Sequence, residues 1–425
     1  MPKVAFHTLG CKVNQYETQR MADALRASGY DVVDFADSAD VYIINSCSVT
    51  HTADSKSRQA VRTIARRHPG ASVVLTGCYA ETSPDEARGI EGVSLVLGNR
   101  HKDAIVEYIG RLLPSKVSKT DMAASVSRAA SARTRALVKI QDGCDQFCSY
   151  CIVPFARPTM WCKPADEVVD EVTQLADRGF KEIVLTGIRL GRYEYGGTNL
   201  VGLLQSLVKV SGIERIRLSS IEMTDVPICL LEIMASEKKI CRHLHVPLQS
   251  GNDGVLKRMN RPYTAEEFER FVEEARLRVS DIAITTDIMV GFPGETIEEF
   301  EETYRFAERL EFSRAHIFRF SPRQGTAAYL MPDDVSPVEK KRRSELLIEL
   351  AKAHSEKFAK RFIGKTMAVL VEGNKESKLR SGFTDNYIRV VFKNDPKCEA
   401  GEIVQVRIAD VKENQVFGEI ITSNA

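Results

Sequence analysis

Cys144, Cys148 and Cys151 stand at C-x3-C-x2-C, directly after an expected strand over 136–140 and the turn Gln141-Asp-Gly. Three thiols on one short loop can hold three corners of an iron–sulfur cube. The fourth iron is then left without a protein thiolate, whereas an electron-transfer cluster usually takes four cysteines. An open iron in an otherwise closed site is a coordination position for a substrate or cofactor. The competing chemistry, a structural zinc loop, favours C-x2-C pairs with further Cys or His at knuckle spacing, and no second pair follows here. Tyr150 puts an aromatic residue immediately before the last cysteine.

A second set of sulfurs is dispersed. Expected strands over 3–8, 41–45 and 72–76 are each followed within two or three residues by a cysteine, at Cys11, Cys47 and Cys78. Helical patterns over 14–28 and 52–67 separate these strands, and strands alternating with helices imply a parallel sheet. Open parallel sheets bind ligands beyond the carboxyl ends of their strands. The three cysteines, 36 and 31 residues apart, are thereby expected on one sheet edge as a second three-thiolate site. Buried strand-end cysteines are the bland alternative, which the threefold repetition disfavours. Asn14 and Gln15 either support the site or cap the helix, with capping the expectation for Asn14.

The elements that must position these sulfurs follow from the rest of the chain. Its 425 residues suffice for two or three domains, and 43% hydrophobic and 28% charged residues with a net charge of +1 describe an ordinary globular protein. Ten cysteines without an apolar leader or a membrane-length run point to a reducing, cytoplasmic setting with no membrane partner. Around 111–139, seven Lys or Arg face the single acid Asp121, which reads as a solvated tether or a phosphate-contacting segment. Six strand-then-helix units follow, with strands near 136–140, 182–186, 215–219, 242–247, 282–290 and 314–320. Six are too few for a closed eight-fold barrel, so a partly open parallel barrel is expected, with its site at the carboxyl ends of the strands. That rule selects Thr186 and Gly187, Ser220 and Glu222, and Gln249. Glu222 and Gln249 are the best candidates for holding ligand hydroxyl or amino groups, with strand-end capping as the alternative. His243 and His245 share one strand face and are read as packed barrel-interior residues. Cys162, Cys229, Cys241 and Cys398 have no ligand-like spacing. Trp161 stacks on a base or simply packs.

Beyond a charged helix over 337–361, short alternating strands over 367–371, 387–392, 403–408 and 416–421 predict a small antiparallel barrel. Residues 362–425 hold nine Lys or Arg against nine Asp or Glu, so charge alone nominates no RNA face. Lys375, Lys378, Arg380 and Arg389 form a candidate local one, with Phe383 and Tyr387 available for stacking.

The loop of Cys144, Cys148 and Cys151 resembles the radical S-adenosylmethionine (SAM) superfamily. Over essentially its whole length the chain resembles the methylthiotransferase family. Thr8-Leu-Gly-Cys11-Lys-Val-Asn14, Asn45-Ser-Cys47, Thr76-Gly-Cys78, Lys139-Ile-Gln-Asp-Gly-Cys144 and Gly291-Phe-Pro-Gly-Glu-Thr296 carry the likeness. The resemblance implies an α/β multidomain protein: an N-terminal parallel α/β sheet domain (1–112), a basic linker (113–133), a partial (β/α)6 radical SAM barrel (134–360) and a small antiparallel TRAM β-barrel (362–425). It implies two 4Fe-4S clusters. The one on Cys11, Cys47 and Cys78 supplies sulfur. The one on Cys144, Cys148 and Cys151 cleaves SAM to a radical, while another SAM gives the methyl group. Tyr150, Thr186, Gly187, Ser220, Glu222 and Gln249 become SAM-contact candidates. Leu218-Ser-Ser-Ile-Glu222, His243-Leu-His-Val-Pro-Leu-Gln-Ser-Gly251 and Thr186-Gly-Ile-Arg-Leu-Gly191 look like the branch acting on N6-threonylcarbamoyladenosine at tRNA position 37. The implied partners are the anticodon stem-loop and an electron donor such as flavodoxin or ferredoxin. Branches acting on isopentenyladenosine or on an aspartate of ribosomal protein S12, and a non-catalytic iron–sulfur RNA-binding protein, are the alternatives. The chain departs from the family at 157–162, Arg-Pro-Thr-Met-Trp-Cys, where no role is carried over.

Overall fold

Short apolar runs with no polar face can be buried only between two layers, and the N-terminal strands satisfy this. β1 (Lys3–Thr8), β2 (Asp31–Val33), β3 (Val41–Ser46), β4 (Ser72–Gly77) and β5 (Leu95–Leu97) pair in the order β2-β1-β3-β4-β5, all parallel. The central strand β3 is buried at every position, as a parallel strand covered on both faces must be. Ala5, Tyr42, Ile44, Val73 and Leu75 face helix His51–Arg67 through Val61 and Ile64. Val4, Val41, Ile43 and Val74 face helices Lys12–Ala27 and Ile105–Leu112. Only β2 and β5 escaped the sequence reading, because three residues carry no periodicity.

The computed structural model describes residues 1–113, 134–373, 378–395 and 398–421, so 114–133 of the expected linker lie outside the described residues. The N-terminal sheet domain forms one compact unit together with two later segments, Gly143–Met160 and Ser321–Tyr329. The boundaries drawn on the sequence were contiguous, whereas this unit takes in the loop of Cys144, Cys148 and Cys151.

The second unit holds the six strands of the central region, β6 (Arg135–Lys139), β7 (Glu182–Thr186), β8 (Arg215–Leu218), β9 (His243–His245), β10 (Ala283–Val290) and β11 (Arg314–Arg319). They form two three-stranded parallel sheets, β8-β7-β6 and β9-β10-β11. Parallel bridges Ile216–Ile240 and Ser220–His245 join the sheets, giving one open barrel in chain order. Val138, Leu185, Ile216, Leu244 and Ile284 point outward into the helices, so the alternate residues, Glu182, Arg215, Arg217, His243 and Thr285, point inward.

The C-terminal barrel closes through β12 (Thr366–Glu372), β13 (Leu379–Thr384), β14 (Arg389–Lys393), β15 (Ile403–Lys412) and β16 (Gln415–Ile420), in the order β12-β13-β14-β16-β15. Four pairs are antiparallel and β14–β16 is parallel, a seam the four-strand sequence reading could not contain because it lacked β13. The phase of β13 also corrects the candidate RNA face. Arg380 alternates inward with Gly382 and Thr384 and is 3% exposed. Lys378 and Arg389 are exposed, the latter donating to Ser381 Oγ at 3.0 Å, and Lys375 lies outside the described residues.

Phe383 and Tyr387 are not free stacking platforms. Tyr387 is stacked between His243 (4.6 Å) and Phe383 (4.7 Å), with the guanidinium of Arg217 4.9 Å from its ring and that of Arg135 4.8 Å from Phe383. Arg135 and His243, like Arg215, are the first residues of their strands, so the C-terminal barrel covers the end opposite the carboxyl edge. Buried ion pairs hold the cover. Arg217 bonds Glu182 at 2.7 Å and donates to the carbonyls of Asp385 (2.8 Å) and Thr384 (3.0 Å). Arg215 donates to the carbonyls of Phe383 (2.9 Å) and Ala368 (2.6 Å). Burial alone would raise the pKa of Glu182, but the charge and hydrogen bond of Arg217, then the charge of Arg215, outweigh it and hold the carboxyl below its ordinary range. Glu182→Gln should therefore cost about 3–5 kcal/mol, because two buried guanidinium groups lose their counter-charge. The stability difference from wild type should be full above about pH 4.3, the unfolded glutamate value, and shrink as pH falls through the lower folded value. Denaturant midpoints of both proteins at pH 7 and at acid pH check this.

Candidate metal centre

Each dispersed cysteine leaves the carboxyl end of a central strand. Cys11 is the N-cap of helix Lys12–Ala27, Cys47 follows β3, and Cys78 opens helix Cys78–Thr82 after β4. Cys47 and Cys78 are buried and Cys11 is exposed. Glycine lets the strand ends approach. A Cβ on Gly10 (φ +97°) would stand 2.7 Å from the Cys47 sulfur, and one on Gly77 (φ +97°) 2.3 Å from the Ser46 carbonyl oxygen, and only glycine takes such φ values without strain.

Asn14 does not cap its helix. Fully buried, it donates through Nδ2 to the carbonyls of Leu9 (2.9 Å) and Ser46 (2.8 Å), which precede Cys11 and Cys47. Asn45 returns a bond to the Asn14 carbonyl at 2.9 Å, and Ser46 Oγ joins the Thr76 carbonyl (2.5 Å) to the Tyr79 amide (3.2 Å). The backbones flanking all three cysteines are thus cross-linked by side chains.

Burial pushes the Cys47 thiol up to about 12, with Cys78 and Cys11 adding repulsion against the Val49 amide bond that opposes it. Cys11 is raised as well, first by desolvation and then by Cys78, with Arg157 opposing. Solvent reaches Cys11, the side from which a metal would load. Sulfurs that repel one another as thiolates need a cationic centre, since the thiolate is the ligand form. Among the described residues no three His, Cys, Asp or Glu side chains converge on a single-ion site, whereas a cluster takes its thiolates on separate irons. The donor set fits a cluster.

The loop Gly143–Met160 belongs to the same unit. Cys148 is buried and Cys144 and Cys151 partly so. The Gln146 amide donates to Cys144 Sγ at 3.4 Å, and the Cys151 amide to the Cys148 carbonyl at 2.9 Å. The loop is clamped from outside. Helix Val153–Ala156 packs against helix Cys78–Thr82, Asn99 Nδ2 donates to the Ala156 carbonyl at 2.9 Å, and the Ala328 amide donates to the Ser149 carbonyl at 2.7 Å.

Several charged residues of this unit escaped the sequence reading. Glu17, on the buried stripe of helix Lys12–Ala27, accepts from Arg157 (2.7 and 2.9 Å) and Lys102 (2.5 Å). Arg323 joins Ser48, beside Cys47, at 2.8 Å and pairs with Asp54. Burial pushes Lys102 below its ordinary value, with Glu17 opposing. A charged residue in register with Val13, Tyr16 and Met21 was the available signal for Glu17.

The candidate SAM contacts divide between the units, Tyr150 in the first and the others in the second. Thr186 is buried at the end of β7 and its carbonyl accepts from the Ile140 amide at 2.9 Å. A Cβ on Gly187 would stand 3.0 Å from Gln141 Oε1, which accepts from the Arg189 amide at 2.7 Å. Ser220 bridges to His245. Glu222 stands at the N-cap of the turn Met223–Asp225 but makes no capping bond with its side chain, whose carboxylate is ion-paired with the buried Arg261. Gln249 adopts φ +68°, its amide bound to the Asp287 carbonyl (2.8 Å) and its carbonyl to the Met289 amide (2.9 Å). Ser219 Oγ, also at the end of β8, is buried with no partner among the described residues. His243 and His245 share the barrel's inner face, one ring nitrogen of each meeting Thr285 Oγ1, His243 Nε2 at 3.0 Å and His245 Nδ1 at 2.9 Å, with His245 Nε2 3.3 Å from Asp287. Trp161 is 44% exposed, with Lys139 Nζ 5.9 Å from its ring.

Replacing Asn14 with Leu should deprive the buried Ser46 carbonyl and the partly buried Leu9 carbonyl of their side-chain donor, at about 1–3 kcal/mol for the buried one. A lowered thermal midpoint together with lost iron at the first triad, measured after anaerobic reconstitution, checks this.

Three family models match in chain order: Uncharacterized protein family UPF0004 over residues 3–98, Radical SAM superfamily over 138–307 and TRAM domain over 360–421. A Bacillus subtilis (strain 168) protein named threonylcarbamoyladenosine tRNA methylthiotransferase MtaB is 41% identical over 424 residues, 96% of this chain and 94% of that one. Its Thermotoga maritima namesake is 40% identical over 98% of this chain and 96% of that one. A Thermodesulfovibrio yellowstonii protein named tRNA-2-methylthio-N(6)-dimethylallyladenosine synthase is 33% identical over 99% of both chains. The solved structure of the radical SAM methyltransferase TsrM from Kitasatospora setae shares the fold, with a TM-score of 0.57 at 17% identity over 94% of this chain and 82% of that one. No helix among the described residues is long and apolar enough to cross a membrane. With this match along nearly its whole length, the chain belongs to the family of radical SAM threonylcarbamoyladenosine tRNA methylthiotransferases, whose chemistry draws on SAM and a 4Fe-4S cluster.

Proposed function

We propose that the chain replaces the hydrogen at C2 of N6-threonylcarbamoyladenosine, at position 37 of tRNA, with a methylthio group. The observation that carries this reading is the pair of cysteine triads gathered in one compact unit of a chain that matches the named relatives end to end. Cys144, Cys148 and Cys151 would hold the cluster that binds SAM, and Cys11, Cys47 and Cys78 a second 4Fe-4S cluster. When bound, these groups supply the radical, the sulfur and the methyl group.

The chain's own residues do the rest. Glycines at 10 and 77 allow the strand ends to close on the first triad, and the Asn14 amide fixes the backbone around it. Thr186, Gly187, Ser220 and Gln249 line the carboxyl edge of the barrel, where a ligand meets backbone and small polar groups. Glu222 acts through its pair with Arg261. The domains are assigned as 1–112, 134–360 and 362–425, joined by the basic stretch 113–133. For RNA contact in the C-terminal barrel, Lys375, Lys378 and Arg389 are the candidates, since Arg380 is buried and Phe383 and Tyr387 are stacked on each other. A cytoplasmic setting and a low-potential donor such as flavodoxin or ferredoxin complete the reading.

The test is an anaerobic reaction of the reconstituted protein with SAM, reductant and anticodon stem-loops bearing either threonylcarbamoyladenosine or isopentenyladenosine, read by nucleoside mass spectrometry. A methylthio product is expected on the first alone; product only on the second would overturn the substrate assignment. Alanine at Cys144, Cys148 and Cys151 should abolish both product and 5'-deoxyadenosine. Alanine at Cys11, Cys47 and Cys78 should abolish product while 5'-deoxyadenosine still forms.

A further inference from the structure

Arg157 follows the third cysteine of the SAM-side loop by six positions, in the stretch where the chain departs from the family pattern. It is 4% exposed, and its guanidinium is spent on the other triad's foundation. Nη1 and Nη2 take both oxygens of Glu17, at 2.7 and 2.9 Å, and Nη2 also donates to Asn14 Oδ1 at 2.9 Å. The last bond sets the direction of the Asn14 amide. With its oxygen held by a pure donor, Asn14 must present its NH2 to the carbonyls of Leu9 and Ser46, the groups that precede Cys11 and Cys47. Ala156, the neighbour of Arg157, is anchored through its carbonyl by Asn99, which follows β5.

We propose that Arg157 is a positioning residue that couples the two cysteine triads: it locks the SAM-side loop to the hydrogen-bond frame of Cys11 and Cys47 and lends that frame a fixed buried positive charge. Arginine suits both tasks. It stays charged when buried, and its planar fork serves a carboxylate and an amide oxygen together, which an ammonium group on a flexible stem does not. The inference rests on the reading of Cys11, Cys47 and Cys78 as cluster ligands. Its consequence is twofold. Loss of the charge leaves buried Glu17 opposite Lys102 alone, a more negative field that makes a nearby cluster harder to reduce. Loss of the fork lets the SAM-side loop shift, so radicals form without reaching product.

The experiment uses full-length protein. In the background with Cys144, Cys148 and Cys151 changed to Ala, where iron can enter only the first triad, the iron content and midpoint potential are measured by redox titration followed by electron paramagnetic resonance. Arg157→Met should shift the potential negative, Arg157→Lys should stay near the parent, and Glu17→Gln should shift it positive. With all six cysteines present, methylthio product formed per 5'-deoxyadenosine should fall by about 10- to 100-fold in both Arg157→Lys and Arg157→Met, the scale of loss for a misplaced reacting geometry. Should the Met variant fail to fold, the Lys and Glu17→Gln proteins carry the same test. An iron-loaded parent whose potential does not move in the Met and Gln variants, or an unchanged product ratio at full iron content, overturns the coupling role and leaves the cluster reading standing. A parent that takes up no iron overturns both.

Discussion

Glu17 is a carboxylate buried between two cations, and the first compact unit depends on that arrangement. An isolated buried charge is too costly to persist, so Glu17 requires Arg157 and Lys102, which come from the loop Gly143–Met160 and from the segment after β5. Three stretches far apart in the chain are thereby fixed at one point. Once the ions are out of water, removing any one leaves another uncompensated, which is why such pairs specify geometry more than they add stability. Asn14 extends the constraint to the strand ends, and through them to Cys11 and Cys47.

The second unit repeats the device. Glu182 is buried with Arg217 and Arg215, and the remaining donors of both guanidinium groups reach carbonyls of the C-terminal barrel. A planar five-donor group can satisfy a carboxylate and a foreign backbone at once, so the small barrel is seated by the same residues that neutralise the interior acid. That seating uses Phe383 and Tyr387 internally.

Much of this was legible in the chain. All six central strands and β1, β3 and β4 stand within a residue or two of their expected positions, because apolar runs bounded by glycine and polar turns fix local structure. The strand-end rule put Cys11, Cys47 and Cys78 where they stand, just past the carboxyl ends of β1, β3 and β4. The three-residue strands β2 and β5 were invisible for want of periodicity. β13 was missed because its inward residues are Arg380, Gly382 and Thr384, none of which signals a core.

By itself the sequence determined which elements precede the six cysteines of the two triads and the order of the three folded regions, since these depend on local propensity, alternation and the handedness of parallel crossovers. Only the tertiary structure decided that the loop Gly143–Met160 packs with the N-terminal sheet. It also decided that Asn14 braces two strands rather than capping a helix, that Arg380 faces inward, and that Glu222 and Glu17 are each held by an arginine. The physical reason is one throughout: a polar side chain takes its role from the partner that satisfies it after burial, and those partners lie up to 143 residues away, beyond any local pattern.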